Sequence, residues 1–330
     1  MKPIAVLISD IHYNLQSLPV ADTALRQAIA KANKLDVPLI VAGDLHDTKA
    51  NMRAECVNAL IDTFGLCDTM CFIIRGNHDA INEKSKEHAL NFLSDIEHIV
   101  LISEPFYSST FTLLPYYHDP EELRSVLKTI PQNSTIIMHQ GVQGSNSGEY
   151  IQDKSAITRE DVQDFRIISG HYHARQDIKV GRSRKGAVGL WSYIGNPYTL
   201  NFGEANDPEK GFQILMDDGT LQFVPTNLRK HVVIEATLDR RDYSSHPEEG
   251  DLVLIKVTGP RDWVNTQTKE SLMKQTGLKS FRLEYRPLES TTTTPVKSTS
   301  NEQLLDNLID SLTNTTKEQK DRLKELWKGL

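Results

Sequence analysis

Cysteine is scarce: Cys56, Cys67 and Cys71 are the only three in 330 residues. So few, and an odd number, exclude a disulfide-stapled scaffold, and Cys67-x3-Cys71 lacks the second ligand pair of a structural zinc site. No stretch approaches the roughly 20 consecutive apolar residues of a membrane span. The first apolar run, Ile4 to Ile8, is too short for a secretory segment and stops before Asp10. The expectation is a cytoplasmic chain with no membrane contact. Positive charge is not in excess either. Thirty-seven Lys and Arg stand against 44 Asp and Glu, for a net charge of −7. That excludes a generally basic nucleic-acid-binding surface and confines any grip on phosphates to local patches. No internal repeat is present. The hydrophobic fraction of 38% supports a sizeable core, and the length fits two domains plus a tail.

What the chain does have is five short motifs rich in metal-ligand side chains. They are Asp10-Ile11-His12, Gly43-Asp44, Gly76-Asn77-His78-Asp79, Met138-His139 and Gly170-His171-Tyr172-His173. Each follows an apolar, β-prone run: Ile4 to Ile8, Leu39 to Ala42, Cys71 to Ile74, Ile136 to Met138 and Phe165 to Ile168. Such runs bounded by Gly, Asp and Asn read as buried strands. Sites of open α/β sheets form at the carboxyl ends of strands, so five strand ends deliver these ligands to one crevice. Carboxylate, imidazole and amide oxygen donors suit manganese, iron, zinc or magnesium rather than a thiolate site. Asp44 is the best candidate to bridge two cations. Ser9 and Ser169 lack a base partner in sequence, which disfavours a serine hydrolase.

The ordered set resembles the calcineurin-like metallophosphoesterase superfamily, whose blocks read Asp-x-His, Gly-Asp, Gly-Asn-His-Asp/Glu, a lone His and Gly-His-x-His. The resemblance implies two divalent metal ions, manganese first, with magnesium, iron or zinc also compatible. One metal takes Asp10, His12 and His173; the other takes Asn77, His139 and His171; Asp44 bridges them. His78 binds no metal and sits over the scissile phosphate, with Asp79 orienting its ring. The implied fold is an α/β four-layer sandwich, with helices outside two central β-sheets.

Four features bear on the choice of phosphoester. Leu45, His46 and Asp47 follow Asp44 where serine/threonine protein phosphatases carry an Arg, and Asp79 stands where those enzymes have Glu; both favour a diesterase. Residues 189–216, with Tyr193-Ile194-Gly195-Asn196-Pro197, Glu204 and Lys210-Gly211-Phe212, resemble the nuclease subunit of the SbcCD-type DNA repair complex. A basic run after His173, with Arg175, Lys179, Arg182, Arg184 and Lys185 against Asp177, reads as a DNA contact or as a solvated hairpin, and its position favours DNA. Finally, a Thr-rich linker leads to two amphipathic segments. The first carries Leu304, Leu305, Leu308, Ile309 and Leu312; the second carries Leu323, Leu326 and Trp327, with Thr315 or Thr316 as cap and Glu318 reaching back. The family's corresponding tail grips the coiled coil of an SMC-like ATPase.

The expected organisation is a nuclease domain over 1–226, a capping domain over 227–287, a linker over 288–301 and a helical hairpin over 302–330. Helices are expected over Val20–Ala32, Ala50–Phe64, Lys84–Leu93, Pro120–Lys128 and Trp263–Gln275. The small second domain is read as three strands and that last helix, and resembles the capping domain that covers DNA in the repair nuclease. The resembled nuclease dimerises through helices of its catalytic domain, so a homodimer is expected. The reading is a two-metal DNA nuclease, 3′-to-5′ on duplex ends and endonucleolytic on single strands. Its short length fits a bacteriophage recombination subunit. The alternatives are a stand-alone phosphodiesterase of small or cyclic nucleotides and a non-catalytic scaffold.

Overall fold

The computed structural model describes residues 1–49, 51–82, 85–146, 157–182, 188–239, 247–288, 309 and 316–328. Two six-stranded sheets form its centre. The first contains β1 (Pro3–Ile8), β2 (Leu39–Val41), β3 (Cys71–Ile74) and β4 (Ile99–Ile102) in parallel. Its other edge is extended antiparallel by β11 (Gly211–Met216) and β12 (Leu221–Pro225). The second runs in the order β5 (Phe106–Tyr107), β6 (Thr112–Leu113), β7 (Thr135–His139), β8 (Arg166–Gly170), β10 (Val188–Tyr193) and β9 (Gln176–Arg182). From β6 to β10 this sheet is parallel.

Side-chain alternation along a strand builds the layers. Ala5 and Leu7 of β1 join Ile40, Ile74, Leu113, Ile137 and Ile168 in a core between the sheets. Val6 and Ile8 face the other way, into a core with Ala21, Leu25, Ala28 and Ile29 of α1 (Leu18–Leu35) and Leu60 and Phe64 of α2 (Ala54–Phe64). The second sheet's outer face packs Ile136, Met138, Ile167 and Trp191 against α3 (Pro120–Leu127) and α4 (Arg159–Val162). Helix α3 begins as expected, with Asp119 accepting from Glu121 N at 2.9 Å and Pro120 in the first turn. The α/β sandwich expected from the sequence is therefore present.

A third, all-parallel sheet of β13 (His231–Thr237), β14 (Leu252–Pro260) and β15 (Arg282–Leu288) has its own core around Ile234, Ile255, Val257 and Leu272. The single helix expected over Trp263–Gln275 is two helices, α5 (Arg261–Thr266) and α6 (Lys269–Thr276). Gln267 is extended between them, and Thr268 restarts the helix by accepting from Ser271 N. The helix expected over Lys84–Leu93 does not form among the described residues; only a 3-10 turn over Asn91–Leu93 is present. Instead the chain folds back on the metal loop: Ala80 bridges His88, and Ala89 N donates to Asp79 O at 2.7 Å. Burial of His88 and Leu90 outweighs helix propensity there.

Of the tail, α7 (Lys317–Lys328) is described. Thr316 caps it, and the reciprocal partner is Gln319 rather than Glu318: Thr316 N donates to Gln319 Oε1 at 2.9 Å, and Gln319 N to Thr316 Oγ1 at 3.3 Å. Ile309 is buried and Leu323 exposed. Leu304, Leu305, Leu308 and Leu312 lie outside the described residues, as do the side chains of Leu326 and Trp327. No described helix is long and apolar enough to cross a membrane.

Candidate metal centre

The loops that leave β1, β2, β3, β7 and β8 bring Asp10, His12, Asp44, Asn77, His78, His139, His171 and His173 together. Ligand atoms of Asp10, His12 and His173 lie within 4.8 Å of one another, as do those of Asp10, Asp44 and His139, and those of His12, Asp44 and His78. The backbone is strained at these strand ends. Asp10, His12, Asp44 and His171 all have positive φ, at 53°, 51°, 51° and 90°. Left-handed geometry in four non-glycine residues is costly, and it clusters where function over-determines the chain. Gly43, at φ 90°, and Gly76 sit where a Cβ would collide with the His139 ring and the Asp44 carboxylate respectively. Backbone bonds lock the first two loops together: Asp10 N to Gly43 O at 3.1 Å and His12 N to Asp44 O at 3.0 Å.

Three of these histidines donate a hydrogen bond from Nδ1 and a fourth lies close to a carboxylate there, which leaves Nε2 to point inward. His139 Nδ1 donates to the Ala42 carbonyl at 2.8 Å. His173 Nδ1 donates to Glu204 Oε1 at 2.8 Å. His12 Nδ1 lies 3.2 Å from Asp47 Oδ1. His78 Nδ1 donates to the Asp47 carbonyl. The exception is His171, whose Nδ1 lies 3.0 Å from Asn77 Oδ1. Such anchoring fixes tautomer and ring direction, as outer partners do around metal-ligating histidines.

The freed lone pairs then face one another. His12 Nε2 and His173 Nε2 are 3.2 Å apart. His139 Nε2 is 3.1 Å from Asn77 Oδ1 and 3.2 Å from Asp44 Oδ2. Acceptors converging in this way need a positive charge between them, so the donor set fits divalent cations. The electrostatics express the same need. Burial works against a charged His139, but the Asp44 carboxylate raises its pKa to about 9. Burial likewise opposes ionisation of Asp44, yet His139, His12 and His78 hold its carboxyl well below the usual range.

Asp79 does not orient the His78 ring, contrary to expectation. Its carboxylate accepts from Gly76 N at 2.9 Å and His46 N at 3.1 Å, so it pins the β2 loop to the β3 loop. Burial and the nearby Asp44 charge push its pKa up, against those two amide donors. His78 N in turn donates to Asp44 Oδ1 at 2.9 Å. His46 is buried, and its Nδ1 accepts from Thr48 N at 3.3 Å. Ser9 Oγ bonds Asp10 Oδ2 at 2.5 Å and Ala42 O at 3.0 Å, which accounts for it without a nucleophilic role.

A model of the calcineurin-like phosphoesterases matches residues 5–175, more than half of the chain. The chain belongs to this family. The phosphoesterase is thus a metal-dependent hydrolase of phosphoester bonds, and the family's dinuclear site has its candidate ligand groups here. Among solved structures, one from work on an archaeal phosphodiesterase is 15% identical, with TM-score 0.37, and covers 67% of this chain and 98% of that one. A second crystal structure is 12% identical, with TM-score 0.44, and covers 69% and 100%. A search of curated proteins finds no match.

Two anchoring residues of the phosphoesterase were not singled out as site residues from sequence. Asp47 follows Asp44 in the same block, and Glu204 follows the Gly195-Asn196-Pro197 turn. Glu204 also accepts from Asn196 Nδ2 at 2.9 Å and Leu200 N at 3.0 Å, and lies 3.4 Å from Lys210 Nζ. Burial raises its pKa, but His173 and Lys210 win and lower it to about 2. The metal ligands open on a cleft of about 760 Å³ that also borders Arg229, His231 and Arg282 of the third sheet and its approach. Nothing in the sequence marked these three. Of the basic run expected at DNA, Arg175 and Lys179 are exposed and neither borders this cleft; Arg175 lies over the Phe223 ring at 4.2 Å. Arg184, Lys185 and the Arg182 side chain lie outside the described residues.

Proposed function

We propose that the chain is a two-metal phosphodiesterase that cuts DNA, the nuclease subunit of a repair or recombination complex of the SbcCD type. The observation that carries this reading is the cleft. It joins His12, Asp44, His78, His171 and His173 to His231 and Arg282 on a separate sheet and to Arg229 on the approach to it. Basic groups set apart from the metal ligands suit a strand whose phosphates continue beyond the scissile one. Arg229 and Arg282 also put local positive charge on a chain whose net charge is −7.

In this reading Asp10, His12 and His173 hold one cation, Asn77, His139 and His171 hold the other, and Asp44 lies between. When bound, the pair would lower the pKa of water and offset charge on the phosphate oxygens. His78 keeps its Nδ1 proton on the Asp47 carbonyl, so Nε2 faces the substrate, and the doubly protonated ring gives its Nε2 proton to the leaving oxygen and is left neutral. Asp47 and Glu204 keep His12 and His173 turned inward. The tail docks on an SMC-like ATPase: α7 follows a Thr-rich linker and leaves Leu323 41% exposed. Exposed Ile61 of α2 and Leu66 just after it suit the homodimer contact.

The test compares manganese-dependent cleavage of labelled duplex DNA with hydrolysis of bis-p-nitrophenyl phosphate, in wild type and in Arg229→Ala/Arg282→Ala. The double variant is expected to raise KM for DNA by about tenfold or more, and to lower the salt slope by about 2. Hydrolysis of the small diester with no action on DNA moves the function to a small-molecule phosphodiesterase. No hydrolysis of either leaves a scaffold.

A further inference from the structure

Arg75 directly follows β3 and precedes Gly76-Asn77-His78. Its backbone carbonyl accepts from Tyr116 N at 2.8 Å, and its Nη2 donates to Tyr116 O at 3.0 Å. The residue is only 4% exposed, yet Nε and Nη1 have no partner among the described residues. The hydroxyl of neighbouring Tyr117, itself buried, is also unpartnered. A buried guanidinium with two idle donors is costly to keep, and such groups persist where they have work to do. Arg75 and Tyr117 both border a second cavity of about 210 Å³, with the three idle atoms themselves buried. Asn77 borders both this cavity and the main cleft, so the two meet at the metal loop.

We propose that Arg75 and Tyr117 form a second phosphate subsite, which holds the phosphate next to the one being cleaved. This rests on the phosphodiesterase reading above. The guanidinium fork and a phenolic O–H are donors matched to phosphate oxygens. Lys86 adds positive charge at the rim. Two carboxylates also border the cavity: Glu122 is paired with Lys86 at 2.5 Å, and Glu104 is exposed. The volume is small beside the roughly 300–1,000 Å³ of a small-molecule pocket, as suits a phosphate group without its nucleoside. A strand crossing the metal ligands would thus be gripped by its neighbouring phosphate at Asn77's far side.

The experiment uses the full chain with manganese and a thymidine dinucleotide whose linkage is a neutral, uncleavable methylphosphonate. Binding is measured without a terminal phosphate, with a 5′-phosphate and with a 3′-phosphate. One terminal phosphate is expected to tighten binding by about tenfold or more in the wild type. That gain should shrink to about twofold or less in Arg75→Gln, shrink partly in Tyr117→Phe, and return in part in Arg75→Lys. Tyr117→Phe removes a single oxygen, so it reports even where loss of the buried guanidinium harms folding. No gain in the wild type, or an undiminished gain in both variants, overturns the subsite. Cleavage of the ordinary phosphodiester dinucleotide is followed in parallel. Its absence beside an intact binding gain removes the diesterase reading and leaves the subsite standing.

Discussion

Single atoms decide how this site works. Three imidazoles are tied at Nδ1, each to a different oxygen, a fourth lies beside the Asp47 carboxylate, and the inward direction of Nε2 follows. Glu204→Gln weakens the hold on His173 while preserving its size. It is expected to loosen manganese at one site by about 10–100-fold and leave the other step of the titration isotherm in place. Weakening of both steps alike would assign Glu204 a general structural role. His78→Ala is expected to cut turnover by roughly 10²–10⁴-fold while metal content stays at wild type, because the proposed role of His78 is on the leaving oxygen and not on the metals. Metal loss on that substitution would make His78 a ligand, which its place beside His12 and Asp44 permits sterically. His88 is a residue-scale matter of stability. Burial, then the Arg75 charge, lower its pKa from 6.5 to about 3. The unfolded chain therefore binds the extra proton between those values, and stability falls as pH drops below 6.5. Urea unfolding at pH 7 and pH 5 should show roughly 2 kcal/mol more acid destabilisation in the wild type than in His88→Gln. Equal losses would show that His88 is protonated without penalty.

Elements supply the positions that those atoms need. The loops after β1, β2 and β8 are forced into left-handed geometry, and backbone bonds stitch the first two together before any metal enters. Asp79 is the clearest stitch, because its carboxylate joins Gly76 N to His46 N. Gly43→Ala tests the cost of this geometry. It places a Cβ against His139 at φ 90° and should destabilise the chain by roughly 2–4 kcal/mol. Chemical denaturation reads that directly, and a loss under about 0.5 kcal/mol would mean that the β2 loop adapts freely. The five strand ends were legible in sequence because each ligand follows an uninterrupted apolar run. The segment after Asp79 was not. Its Leu90 and Leu93 fit a helical stripe as well as they fit the hairpin that covers the Asp79 carbonyl, and only contact with that carbonyl chooses between them.

At the scale of the whole molecule, the third sheet turns a metal-ligand cluster into a cleft. Thr199 and His231 tie it down: His231 N donates to Thr199 Oγ1 at 2.9 Å, and His231 Nδ1 lies 2.9 Å from the same oxygen. Phe202 packs edge-on to His231 and beneath Arg282. The tail is the other large-scale device. A chain ending at Pro287 is expected to keep hydrolysis of bis-p-nitrophenyl phosphate and to lose stimulation by the proposed ATPase partner. Loss of thermal stability on that truncation, with no partner effect, would instead place the tail on its own domain. Taken alone, the sequence determined which side chains gather as candidate ligands, the strand-loop frame that carries them and the family. It does so because each ligand sits beside its own strand, and short-range order is written in hydrophobic pattern. Tertiary structure alone decided which oxygen anchors which imidazole, where Asp79 spends its carboxylate, and that Arg229 and Arg282 stand by the metal ligands. Those contacts join residues far apart in the chain, and their geometry exists only once the sheets have packed.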